Sequence, residues 1–359
     1  FALKEGFEWS RSDTSLALAL GMLPATVAPI VMGRILDIVR PKKTILLVCL
    51  FAGIGLLLTA FVSKTWQFSL LIGVVRFAIA GAAYISLFAL LLAWFPKNSG
   101  KIIGFILLLL GFGETFTAAV NNFLVDSYGW RSSFASAGAA LLILAVPLVL
   151  FTIRDVPESG AKEGEIEKKS GGGWRLFFLL AAGMFLAGVV SESGQTDLIT
   201  SRTNSQEASA LLVSSIKGFS GLGALLFGIV ADRWNSRKAF VTAAVVAAFS
   251  LLMRSALEPL WAQVSFIFLI RSCQMGFLVL LPLLVASFYR MSNFGLLCGL
   301  LLVINGMGTS FGGGFFSWTM HNHGSKYYLT LLAGALIALL SGYSIYHAAR
   351  FVSPISDEN

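Results

Sequence analysis

Runs of about 20 apolar residues recur from one end of this chain to the other. Each is long enough to cross a hydrocarbon layer of about 30 Å as a helix. In lipid a segment must satisfy its own backbone amides, so such runs are helical. A large soluble helical protein would instead show amphipathic helices at its surface. Apolar residues make up 57% of the chain and charged residues 12%, against about 25% charged in an ordinary soluble chain. The expected fold is therefore all-α and membrane-embedded. Spans are predicted near 12–36, 44–63, 67–93, 102–125, 132–153, 174–200, 207–231, 239–257, 262–287, 296–319 and 327–350. Residues 1–11 read as the tail of one further span.

The net charge of +8 would fit a nucleic-acid partner in a soluble protein. Here the basic residues cluster in short loops such as Arg40-Pro41-Lys42-Lys43 and Arg237-Lys238, which is a topology signal. No nucleic-acid partner is expected. With residues 154–173 in the cytoplasm, that side carries sixteen Lys and Arg residues and the opposite side six. This predicts a multi-pass protein of the cell membrane, with both termini of the full-length protein cytoplasmic. The charged, Gly-rich stretch at 155–173 reads as a linker. It divides an N-terminal bundle, 1–153, from a C-terminal bundle, 174–359. Cys49, Cys273 and Cys298 are isolated, and His321-Asn322-His323 lacks a third ligand, so no cofactor and no metal are expected.

The chain repeats itself at one offset. Gly33 and Gly228 stand 195 positions apart, as do Asp37 and Asp232, Lys43 and Lys238, and Arg76 and Arg271. Seven glycine pairs share this register, including Gly100 with Gly295 and Gly104 with Gly299. Chance would give about one or two. Parallel repeats of this kind are a transporter design, with the substrate site near the bilayer midplane at the repeat interface. Projected back from Trp174, the register starts the first helix of the first half about 20 residues before Phe1. That helix is expected to be largely missing from this sequence.

The repeated loops carry a family resemblance. One reads Gly33-Arg34-Ile35-Leu36-Asp37, followed by Arg40-Pro41-Lys42-Lys43. The other reads Gly228-Ile229-Val230-Ala231-Asp232-Arg233, followed by Arg237-Lys238. Both resemble the signature loop of the major facilitator superfamily, G-x-x-x-D-(R/K)-x-G-(R/K)-(R/K). Pro41 and Arg40 depart from its second glycine. Physically, glycine permits close helix approach, and aspartate can pair with cations or with a helix N-terminus at a cytoplasmic gate. Glu8-Trp9-Ser10-Arg11-Ser12, Trp94-Phe95-Pro96-Lys97 with Gly100, and Gly129-Trp130-Arg131 are similar to the monocarboxylate-transporter-like and oxalate–formate-antiporter-like branch. That branch often has an Arg four residues before the second loop glycine, where this chain has Ala224. Lys217 lies two turns further out. The resemblance implies a fold of two parallel six-helix bundles. It also implies transport of small carboxylates, with a proton or in exchange.

Four charges fall near the middle of predicted spans. Arg76 and Arg271 each lie about ten residues into their span, roughly 15 Å deep at 1.5 Å per residue. Lys217 and Glu114 reach a similar depth. A charge there costs on the order of 3 kcal/mol on insertion scales, so each should face a polar cavity or a partner. Tyr84 shares the Arg76 face and Gln274 the Arg271 face. Three cations against one carboxylate suit an anion, because Arg offers a planar fork and Lys a movable point charge. Arg76, Arg271, Lys217, Tyr84 and Gln274 are the candidate substrate contacts. Glu114 reads either as a proton-coupling acid or as an ion-pair partner of Arg76. Gly33, Asp37, Gly228, Asp232 and Arg233 are the candidate gating residues. Arg254, near the outer end of its span, is expected to snorkel to the interface. The leading function is secondary active transport of a small organic anion, a mono- or dicarboxylate. The partners are then that anion, a proton or counter-anion, and the lipid bilayer. Efflux of amphipathic drugs or metabolites is the alternative, and a nontransporting receptor a third. No nucleotide loop or nucleophile–base pair points to an enzyme.

Overall fold

The computed structural model describes residues 11–154, 174–191, 206–257, 259–289, 293–322 and 327–348. The motif at Glu8 to Ser10, the linker at 155–173 and His323 lie outside the described residues, as does the span end at 192–200. Among the described residues the chain forms eleven helices. They are α1 (Arg11–Ile38), α2 (Pro41–Thr59), α3 (Thr65–Trp94), α4 (Ser99–Tyr128), α5 (Trp130–Thr152), α6 (Trp174–Ser191), α7 (Gln206–Trp234), α8 (Ser236–Ala256), α9 (Leu260–Phe288), α10 (Phe294–Asn322) and α11 (Tyr327–Ala348). Ten are long and apolar enough to cross a membrane, and α6 carries a shorter apolar stretch, Arg175–Ser191. These helices follow the predicted spans to within a few residues at each described end.

Local chemistry sets the breaks. Pro41 opens α2 from an extended Arg40, a first-turn position where the missing N–H is no loss. Gly129 turns the chain into α5 with φ of +79°, a conformation that glycine adopts without a Cβ clash. Behind it, Arg131 donates from Nη2 to the Val62 carbonyl at 3.1 Å and stacks 4.8 Å from the Trp130 ring centre. The Gly-Trp-Arg motif thus ties the start of α5 to the end of α2. Asn235 takes a positive φ of 142° and accepts the Arg237 N–H at 3.0 Å, capping α8.

The helices gather into two compact units. One comprises Phe1–Trp94, Phe116–Lys162 and Met291–Val303. The other comprises Phe95–Thr115, Glu163–Arg290 and Ile304–Asn359. Helices α4 and α10 therefore each contribute to both. In the first unit α1 packs on α3, and α2 on α3 and α5, around Val48, Ala52 and Ala78 and around Phe68 and Ile72. In the second, α7 packs on α9, and α8 on α9 and α11. Small residues set these approaches: a Cβ on Gly342 would stand 3.0 Å from that of Ala244. Helix α6 is pinned by polar side chains. Ser341 donates to the Gly183 carbonyl at 2.8 Å, Ser344 to the Leu179 carbonyl at 2.6 Å, and Asn305 to the Met184 carbonyl at 2.8 Å. Such bonds hold helices together where burial of apolar surface gives no driving force.

Candidate functional site

The repeated loops make matching polar contacts. In the first unit, Asp37 accepts the Gly295 N–H on Oδ1 at 2.7 Å and the Leu296 N–H on Oδ2 at 3.0 Å. In the second, Asp232 accepts the Gly100 N–H on Oδ1 at 2.9 Å and the Lys101 N–H on Oδ2 at 2.7 Å. The acceptors and the donors both obey the 195-residue offset (295 − 100 and 232 − 37). Each aspartate therefore caps the first turn of a long helix, α10 or α4, far away in sequence. Four backbone N–H groups at a helix start lack intrahelical partners, and the helix dipole favours an anion there. Glycine makes the approach possible. A Cβ on Gly33 would collide with the Gly295 carbonyl, and one on Gly228 with the Gly100 carbonyl. Arg233 is exposed beside this cap.

The two arginines paired by the repeat sit in different surroundings. Arg271 on α9 is buried, and its Nη1 donates to Gln274 Oε1 at 2.7 Å. Arg76 on α3 is exposed. Three residues beyond it the helix widens into a π-helical turn, Ile79–Ala83, which re-aims the side chains that follow. Gly81 lies inside that turn, where a Cβ would come 2.8 Å from the Ala28 carbonyl of α1. The repeat partner of Gln274 is Ile79, so the hydrogen bond of Arg271 has no counterpart at Arg76. Tyr84, half-buried, follows the turn with its ring 6.1 Å from that of Phe88.

Glu114 and Lys217 are both exposed, on the tightly packed helices α4 and α7. Asn121, about two turns beyond Glu114 on α4, accepts a hydrogen bond from Ser133 at 3.1 Å. Arg254 corrects the sequence reading. It does not snorkel: it is 2% exposed and donates from Nε to Gln263 Oε1 at 3.2 Å, while Gln263 donates back to the Arg254 carbonyl at 2.9 Å. Its depth was legible in the sequence. The inward face was not, because its partner comes from α9.

Long apolar helices with repeat-related capped ends define a polytopic membrane protein built from two similar halves. The model of the Major Facilitator Superfamily matches residues 1–191, more than half of the chain, and the protein belongs to that superfamily. Its ten membrane-length helices among the described residues fit a multi-pass membrane protein. A stretch of 140 residues, 39% of the chain, is 25% identical to the vacuolar basic amino acid transporter 1 of Saccharomyces cerevisiae. This match spans 25% of that protein's length. The fold is similar to that of the E. coli fucose:proton symporter FucP, with a TM-score of 0.70 at 11% identity over 94% of this chain and 91% of that one. It is also similar to the proton:xylose symporter XylE, with a TM-score of 0.66 at 13% identity over 93% and 84% of the two chains.

Proposed function

We propose that the protein is a secondary active transporter of small organic anions, mono- or dicarboxylates, driven by a proton or by exchange. The observation that carries this reading is the charge balance within the spans. The described mid-span residues include three cations, Arg76, Lys217 and Arg271, and one carboxylate, Glu114. A membrane-embedded excess of positive charge favours an anion and repels a cationic side chain. Arg271 has the more defined geometry, since Gln274 holds one arm of its guanidinium. Arg76 serves the first unit and Arg271 the second as anion contacts, with Tyr84 and Gln274 orienting them and Lys217 adding a mobile charge. Resemblance to the monocarboxylate and oxalate–formate branch supports the same substrate class. The sugar and basic amino acid substrates named for the relatives would need neutral or acidic recognition groups at these positions. The test is binding to the purified full-length protein of a panel of carboxylates, with hexoses and basic amino acids as competitors. Displacement by carboxylates alone supports the reading. Displacement only by hexoses or by lysine overturns it.

The basic loops support a cytoplasmic side for Asp37 and Asp232. Their caps stabilise the outward-open state, and transport requires that they release.

Glu114 is the proposed proton-coupling acid. Glu114→Gln is expected to abolish pH-driven accumulation and to leave substrate exchange within about twofold of the parent, because exchange needs no net proton movement. Uptake with and without a pH gradient checks this. Normal pH-driven accumulation in that variant rules out the coupling role.

A further inference from the structure

We propose that Glu114 and Lys217 are counter-ions, forming a salt bridge across the seam between α4 and α7 that makes and breaks as these helices move. The inference rests on the packing of the seam and on no substrate assignment. Helices α4 and α7 run antiparallel along a stripe of small residues. Gly100 meets Gly228, Gly104 meets Ala224, and Gly111 meets Gly218. At the last crossing, a Cβ on Gly111 would lie 2.7 Å from the Gly218 carbonyl, and one on Gly218 would lie 2.5 Å from Thr115 Oγ1. The side chains next to these contacts must therefore splay to one flank of the seam or the other.

Phe112 and Phe219 define one flank. Each follows a contact glycine, and their rings meet edge to face at 5.6 Å and 84°. Successive helical residues rotate by about 100°. A residue just before a contact position therefore leaves on the opposite flank from one just after it. Glu114 precedes Thr115, and Lys217 precedes Gly218. In an antiparallel pair these two share the flank opposite the phenylalanines. Glu114 stands three residues beyond the Gly111–Gly218 crossing and Lys217 one residue beyond it in the same direction. Their axial offset is about 3 Å at 1.5 Å per residue, well within the span of the two side chains. Both are exposed rather than packed, so each is free to swing along the seam.

The other described charges on these helices lie near their ends: Lys101 and Asp126 on α4, Asp232 and Arg233 on α7. Asp232 is committed to the α4 cap. Arg271 of α9 is level with Gly223, where a Cβ would collide with the Ser272 backbone, about six residues beyond Lys217 or roughly 9 Å along α7. It is buried and bonded to Gln274. A carboxylate and an ammonium within a membrane span each offset the other's cost of leaving water.

Two readouts test the pair in the full-length protein. The first is charge reversal. Glu114→Lys and Lys217→Glu each place like charges on one flank and should lower the thermal midpoint by several degrees. The double swap should recover most of that loss. The second is chemical proximity. With cysteines at both positions, a short bifunctional thiol reagent applied to membranes should yield a peptide linking 114 to 217 that neither single variant yields. It keeps the proposal testable if a reversed variant fails to fold. Recovery in the swap together with the linked peptide supports the pair. A swap no more stable than its single variants overturns it, and so does absence of the linked peptide in folded protein.

Discussion

Replacing Arg271 by alanine is expected to weaken anion binding by about 2–5 kcal/mol, the range for truncating one partner of a buried charged contact. At about 1.4 kcal/mol per tenfold, this is roughly 30-fold to several thousand-fold in affinity. The loss has two parts. One arm of the guanidinium is already held by Gln274 at 2.7 Å, so the side chain needs little further ordering when an anion arrives. Removing the side chain also leaves Gln274 Oε1 without that donor in a buried setting, which adds a desolvation cost. Arg271→Lys should fail as well, since an ammonium cannot bond Gln274 and grip a carboxylate with one planar fork. Arg76→Ala should cost less than Arg271→Ala, because Arg76 is exposed and lacks the equivalent of Gln274. Isothermal binding of a carboxylate panel to variants of confirmed fold checks the order. Equal losses at the two sites would show that the burial of Arg271 contributes nothing.

The double variant Asp37→Asn with Asp232→Asn carries the second large effect. Each carboxylate accepts two backbone N–H bonds at a helix start. An asparagine offers one acceptor oxygen where two are needed, and it loses the charge that the helix dipole favours. Hydrogen bonds to a charged group contribute about 1.5–3 kcal/mol. Losing one such bond at each loop biases the conformational equilibrium rather than the binding contacts. Turnover should fall tenfold or more while the half-saturating substrate concentration changes less than threefold. Each single variant should give a smaller loss of the same kind. Initial rates across a substrate series separate the two quantities. Normal turnover with only a raised half-saturation would contradict a gating role.

Much of this architecture was legible because membrane helices are read from length and composition, and the described helices match the spans predicted that way. The gating contacts were half legible. The repeat marked Asp37 and Asp232, and elementary chemistry made a helix N-terminus one of their partners. Only the structure shows that Gly295 and Gly100 supply the first N–H groups. Position along each helix was legible from residue counting, but helix face was not. Arg254 was expected at the interface and is buried against Gln263 instead. Arg76 and Arg271 were expected as equals. The π-helical turn at Ile79–Ala83 holds Gly81 close against α1, and no pattern within α3 reveals it. The stripe of Gly100, Gly104 and Gly111 on α4, facing Gly218, Gly221 and Gly228 on α7, was visible at helical spacing. It is the signal that could have placed Glu114 and Lys217 on one seam.

The account turns on an anion as the transported species. Counterflow of radiolabelled mono- and dicarboxylates in proteoliposomes holding the full-length protein tests this most directly, with the Arg76→Ala and Arg271→Ala proteins beside it. The expected result is exchange of at least one carboxylate, lost in Arg271→Ala and reduced in Arg76→Ala. Exchange of a hexose or a basic amino acid with none of any carboxylate would contradict it, as would undiminished carboxylate exchange in both variants.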